Sequence, residues 1–375
     1  AASKGHSKSM YNLALAYHNG KGVRQDDFTA MEYFAKAAQL GDTDAMYNLG
    51  LGYYNGIGAQ RDLLEAIKWF KKSAAAGNSD AMVNLGVIYN EGNEYSRAVK
   101  WFAKAADLKN KQAYFNLAVA CQNGSGVKKD IKKAVEYYKL AAEAGEVHSM
   151  YNLGVACYNG IGVEQDYKKA LKWLNLAVDG GDKMAMFFLA QMYKLGTGLA
   201  KNPVKAFELF LKAAKAGEVR AMSNVAMAYF NGDGTDPDKE KGAEWFKKAA
   251  RAGDIYSMYN LAVLYHNGDG VEKDNVKSKE WFTKCAKEGH YEAMLNLGFI
   301  YYNGVGSEVN YQKAAEWFRR ASDGRIPTAM YNLAQLYEKG QGVEKNVDMA
   351  VKWYTKAAKA GHKRASEKLL SFQDN

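Results

Sequence analysis

The phrase "MYNLALAYHNGKGV" at Met10 returns as "MYNLGLGYYNGIGA" at Met46 and as "MYNLGVACYNGIGV" at Met150. Aligned on that first residue, the copies start at Met10, Met46, Met82, Tyr114, Met150, Met186, Met222, Met258, Met294 and Met330, 36 residues apart at every step but one. Between Met82 and Tyr114 the step is 32, because "YNEGNEYSRAVKWF" lacks four residues of the connector. A fixed period of about 20–50 residues means stacked supersecondary units, none of which buries a core alone. A length of 375 residues would ordinarily predict two or three domains. The repetition instead predicts a single solenoid over residues 1–375.

Each unit reads as two helices. In the first, Met10, Leu13, Ala14 and Tyr17 follow the three-and-four spacing of one helical face. It stops at Asn19-Gly20 or Asn55-Gly56, residue types that readily take the left-handed conformation closing a helix. The second begins at a polar cap such as Asp26 or Asp62 and runs through "KAxxWFxKAA" to a glycine such as Gly41 or Gly77. Pro203, Pro237 and Pro327 fall in connectors or at a helix start, where the missing amide proton is harmless. The fold class predicted is all-α: a right-handed α/α superhelical solenoid of about ten helix-turn-helix repeats.

The conspicuous residues point to packing before chemistry. All seven tryptophans, from Trp69 to Trp353, hold one position of the second helix, so they are expected to supply core burial. The "NGKGV" loops resemble phosphate cradles only superficially, since their glycines end a helix instead of opening one. The six histidines are scattered, and no His, Cys or carboxylate cluster has metal-ligand spacing. Neither an enzyme nor a cofactor is expected. Three cysteines (Cys121, Cys157, Cys285) are too few to staple a chain of this length, which disfavours a disulfide framework and leaves the compartment open. No run of eighteen apolar residues predicts a membrane span.

The pattern A-x-x-L-G-x-x-Y-x-x-G-x-G-V-x-x-D-x-x-K-A-x-x-W-[FY]-x-K-A-A-x-x-G, nearly complete over Ala45 to Gly77, resembles the Sel1-like repeat family, a relative of the tetratricopeptide repeats. The resemblance covers essentially the whole chain and implies a scaffold or adaptor that binds proteins. The chain departs from the cysteine-rich bacterial branch, which carries a disulfide in each repeat. The opening "AASKGHSKS" reads as the tail of a second helix, and the closing "ASEKLLSFQDN" as a first helix without its partner. The expectation is a monomeric piece of a longer parent, with room upstream for a signal, anchor or fused domain.

At 100° per residue Lys8, Asn12, Leu15 and Asn19 share the face opposite the buried one. The resemblance places that face on the concave groove and matches the Asn of "YNL" to the position with which related repeats hold a peptide's backbone or terminal carboxylate. The Asn recurs as Asn12, Asn48, Asn84, Asn116, Asn152, Asn224, Asn260, Asn296 and Asn332, interrupted only by Phe188. An amide offers both donor and acceptor, so the row can read an extended main chain, or it can bridge neighbouring helices. The expected peptide site adds Tyr151, Tyr158, Phe187, Phe188, Phe230 and Tyr259, with the sixth repeat, "KMAMFFLAQMYKLGTG", holding an apolar anchor pocket. A net charge of +10 makes nucleic acid or an anionic membrane the alternative partner. Most lysines, however, lie on second helices. One turn before the groove Asn the repeats carry two basic residues, Lys8 and Arg220, against three acidic ones, Asp44, Asp80 and Glu292.

Overall fold

The computed structural model describes residues 6–372, in which there are 21 helices and no strand. First helices begin at Ser7, Thr43, Ser79, Lys111 and onward to Pro327, 36 residues apart except for the 32 between Ser79 and Lys111. The four missing residues come out of one connector, which is residues 92–94 in the third repeat against residues 56–62 in the second. Residues 1–5, read above as the end of a second helix, lie outside the described residues. Ser7–Ser9, read with them, instead form the first turn of Ser7–Asn19. Lys363–Leu370 is the short closing helix.

The chain divides into two compact units, Ala1–Ala185 and Met186–Asn375. In each, a first helix packs antiparallel-hairpin fashion on the second helix of its own repeat, and that second helix packs on the next first helix. The expected punctuation is present. Gly20 and Gly56 are left-handed and close their helices, and Asp26 and Asp62 accept backbone N–H bonds as N-caps of the second helices.

The core differs from the expectation in one respect. In the first unit Phe34, Phe70, Phe102, Tyr138 and Leu174 are at most 5% exposed, and in the second Phe210, Phe246, Phe282, Phe318 and Tyr354 are at most 3%. Each is the residue after the Trp position. The tryptophans themselves, 100° further round the helix, are only half-buried. A cation three residues on covers six of the seven rings, as Lys72 at 4.1 Å from Trp69, Lys248 at 4.3 Å from Trp245 and Lys356 at 4.0 Å from Trp353, while Trp173 has Lys172 beside it at 5.5 Å. Trp is therefore the outer seal of the layer, and the following residue is its core.

Two of the scattered histidines are helix caps. The Nδ1 atoms of His290 and His362 accept from the N–H groups of Ala293 and Ala365, both at 3.3 Å. Their rings stack on Tyr259 and Tyr331 of the preceding repeats, at 4.8 and 4.4 Å. Only an unprotonated Nδ1 accepts a hydrogen bond. Burial, and then Arg364, lower the pKa of His362 below its ordinary value. Folding therefore favours the neutral form, so this stabilisation is present above about pH 6.5 and is lost as pH falls through the lower folded value. Hydrogen exchange in Lys363–Leu370, corrected for intrinsic rates, should accelerate on going from about pH 7 to about pH 5, reflecting a cap worth on the order of 0.5–1 kcal/mol. His362→Asn caps without titrating and should remove that step. A step that persists in His362→Asn refutes the assignment.

Candidate peptide groove and the cleft of the sixth and seventh repeats

The "YNL" asparagines lie on the first helices, Asn12, Asn48, Asn84, Asn116 and Asn152 in the first unit and Asn224, Asn260, Asn296 and Asn332 in the second. Asn12 is exposed and the others are half-buried. In all but Asn12 and Asn116, Nδ2 donates to the backbone carbonyl four residues earlier, at 2.7 to 3.0 Å. That bond locks the rotamer and leaves Oδ1 and one N–H directed away from the helix. In Asn116 the Nδ2 is buried, with no hydrogen-bond partner among the described residues.

Some members have a second task. Nδ2 of Asn84 also donates to the Tyr47 hydroxyl at 3.2 Å, and Nδ2 of Asn296 to the Tyr259 hydroxyl at 3.3 Å. Each pair joins one repeat's first helix to the next, so these two amides tie the stack in register as well as facing outward. Burial, the larger influence, raises the pKa of Tyr47 and keeps its hydroxyl neutral.

The aromatic candidates are dispersed. Tyr259 packs edge-on against Phe282 at 5.7 Å as well as on His290. Phe230 lies 5.8 Å from Phe246 and covers Gly242, against the second helix of its own repeat. Tyr158 meets Tyr167 at 5.3 Å, at the start of a second helix. Tyr151 and Phe188 are half-buried on their first helices.

Phe187 and Asn224 come together in the walls of a cleft of about 710 Å³. It lies wholly in the second unit, among Lys183–Leu195, Pro203–Lys215 and Val219–Asn231, and reaches Tyr256 on the next first helix. Phe188 is not among its walls. Its apolar floor is Phe187, Phe207, Phe210 and Met227, and Phe187 and Phe210 pack 5.7 Å apart. Lys194, Lys201 and Arg220 line it, against the single carboxylate of Asp233. The Lys194 ammonium donates to Asn224 Oδ1 at 3.1 Å. The Arg220 guanidinium sits 4.5 Å above Phe187 while its Nε holds Glu218 at 2.7 Å. The matching place in the first unit, beside Phe34, Asn48 and Leu51, holds only about 190 Å³.

Sequence reasoning centred this pocket on Phe188 and missed Ser223. The position before the Asn is Tyr, Phe, Val or Leu in every other repeat. Ser223 turns its hydroxyl back onto the Arg220 carbonyl at 3.0 Å and is almost fully buried. The missing side chain was the readable signal: "SNV" stands where other repeats have "YNL".

Cys121, Cys157 and Cys285 are buried free thiols, and burial pushes Cys285 up to about 12, which keeps it protonated and unreactive. Among the described residues no group of three or more His, Cys, Asp or Glu is arranged to hold a metal ion, and no helix is long and apolar enough to cross a membrane.

The family model of the Sel1 repeat matches residues 7–42, 43–78, 79–110, 111–146, 147–182, 183–218, 219–254, 255–290, 292–324 and 327–362. Among solved structures, a protective antigen present in uropathogenic Escherichia coli strains, displaying an SLR fold, is 35% identical with a TM-score of 0.78, over 98% of this chain and 80% of that one. A Sel1 repeat protein from Oxalobacter formigenes is 28% identical with a TM-score of 0.63, over 82% of this chain and 90% of that one. No curated protein matches the chain. With ten consecutive matched repeats and the helix pairs to accompany them, the chain belongs to the Sel1 repeat family.

Proposed function

We propose that this chain is a non-enzymatic scaffold that holds an extended segment of a partner protein along the exposed faces of its first helices. Sel1 repeat folds generally serve protein interaction and are generally non-catalytic. The observation that carries the reading is the row of back-bonded asparagines. Their rotamers are fixed before any partner arrives, so little side-chain entropy is lost when the outward carbonyl and N–H meet a peptide main chain.

The test is a random peptide library displayed on phage, panned against the whole chain, followed by calorimetry on an enriched peptide. Replacing Asn224, Asn260 and Asn332 together by Ala avoids the asparagines that bond Tyr hydroxyls. At about 0.5–1.5 kcal/mol for each engaged amide, affinity should fall roughly tenfold to a thousandfold with the melting temperature nearly unchanged. Unchanged affinity, with or without a large drop in melting temperature, overturns the reading.

The second-helix cations favour one alternative, electrostatic contact with nucleic acid or anionic lipid. Several of them already cover tryptophans, and binding of that kind should collapse between low and physiological salt as counterions are released. Salt-resistant, sequence-specific DNA binding would reverse the ranking.

A further inference from the structure

Resting on the groove reading above, we propose that the cleft between the sixth and seventh repeats is its specificity pocket, and that it takes an aromatic side chain of the bound peptide together with an adjacent Asp or Glu carboxylate. Three features lead there. The volume, about 710 Å³, lies within the roughly 300–1,000 Å³ of ordinary ligand pockets, whereas the equivalent place in the first unit does not. The volume has a local cause in Ser223. At the equivalent position of the second repeat, Tyr47 reaches across to Asn84 of the following repeat, so the corresponding space is filled. Beside Ser223 it is open, and the cleft extends to Tyr256.

The third feature is charge. The floor is aromatic, which favours an aromatic guest through edge and offset contacts. The rim carries Lys194, Lys201 and Arg220 against Asp233, with Arg220 already held by Glu218. Lys194 is bonded to a neutral amide oxygen, and among the described residues neither it nor Lys201 has a carboxylate within ion-pair distance. A carboxylate entering beside the aromatic guest meets ammonium groups at the mouth of an apolar site, where charge-assisted bonds are shorter and stronger than neutral ones. A basic or purely aliphatic segment has no such match. Asn224 connects this pocket to the ladder: its Oδ1 accepts from Lys194 and one N–H bonds back to the helix, so its other N–H meets the main chain while the neighbouring side chains descend.

The experiment pans the same phage library against the wild-type chain and against Ser223→Tyr, which restores the residue type of other repeats and fills the cleft. Peptides enriched on the wild type should carry Trp, Phe or Tyr beside Asp or Glu. Synthesised with both termini blocked, they should bind Ser223→Tyr at least tenfold more weakly at unchanged melting temperature. Lys194→Glu changes an exposed side chain and keeps the test open if Ser223→Tyr misfolds. It should weaken the acidic peptide several-fold and improve the same peptide with Lys in place of Asp. Peptides that lose affinity on the triple Asn variant, yet lack the acidic–aromatic pair or bind Ser223→Tyr equally well, overturn the pocket and leave the groove standing. Enrichment of no peptide at all overturns both.

Discussion

Phe318→Ala should lower the unfolding free energy of the Met186–Asn375 unit by about 3–5 kcal/mol, whereas Trp317→Ala should cost less than about 2 kcal/mol. Phe318 is 0% exposed, lies edge-on to Phe299 at 5.3 Å and fills the space above Gly298, where an added Cβ would stand 2.4 Å from its ring. Truncation removes the transfer energy of a whole ring and leaves a cavity walled by two packed helices that cannot close over it. Trp317 is the larger side chain but only half-buried, with Arg320 4.9 Å above its ring. Its loss exposes surface that the arginine stem can partly re-cover. Denaturant titration of both variants, with the slope held constant, measures the difference. Equal costs would mean that the tryptophan row, as composition alone suggests, is the core after all.

That contrast marks where sequence legibility ended. The period and the shortened third connector were legible by recurrence, and both helices of each repeat, the Asn-Gly helix ends and the Asp caps were legible because each depends on residues close together along the chain. Which member of a Trp-Phe pair points inward depends on the angle at which two helices cross, and both residues satisfy the same apolar pattern. The asparagine row was legible by recurrence. That their Nδ2 atoms bond back to the helix, and that Asn84 and Asn296 also hold a tyrosine 37 residues earlier, required the packed geometry. The cleft was half legible. The sequence pattern drew attention to Phe187 and to the unusual large residue, Phe188, whereas the walls of the cleft include Phe187 and the unusual small residue, Ser223, and not Phe188. In a repeat protein an absent side chain carries as much information as a present one, since the other copies state what belongs there.

Gly270→Ala should destabilise its unit by about 2–5 kcal/mol, while Gly253→Ala should cost only about 1–2 kcal/mol. Both glycines are left-handed, with φ of 65° and 95°, so any residue with a Cβ carries the conformational penalty at either place. They differ in surroundings. At Gly253 an added Cβ meets nothing within 4 Å. At Gly270 it would stand 2.2 Å from the Lys239 carbonyl oxygen and 2.5 Å from its carbon, in the first turn of the preceding repeat's second helix, Lys239–Arg251. Backbone atoms in a hydrogen-bonded turn cannot rotate away as a side chain does, so the connector must lift off the neighbouring repeat. Lifting also stretches the bond from the Lys239 ammonium to Asp269, 2.9 Å long beside the glycine. The second glycine of "NGDG" is thus where one repeat rests on the next, a role distinct from the helix-closing role of the first. In a stack whose layers contact only their neighbours, loosening that seat should also raise hydrogen exchange in Lys239–Arg251 and Asn275–Lys287 together. Matching losses from the two alanines, with exchange unchanged in those helices, would reduce the second glycine to a turn residue and remove the close approach from the account of how the repeats are spaced.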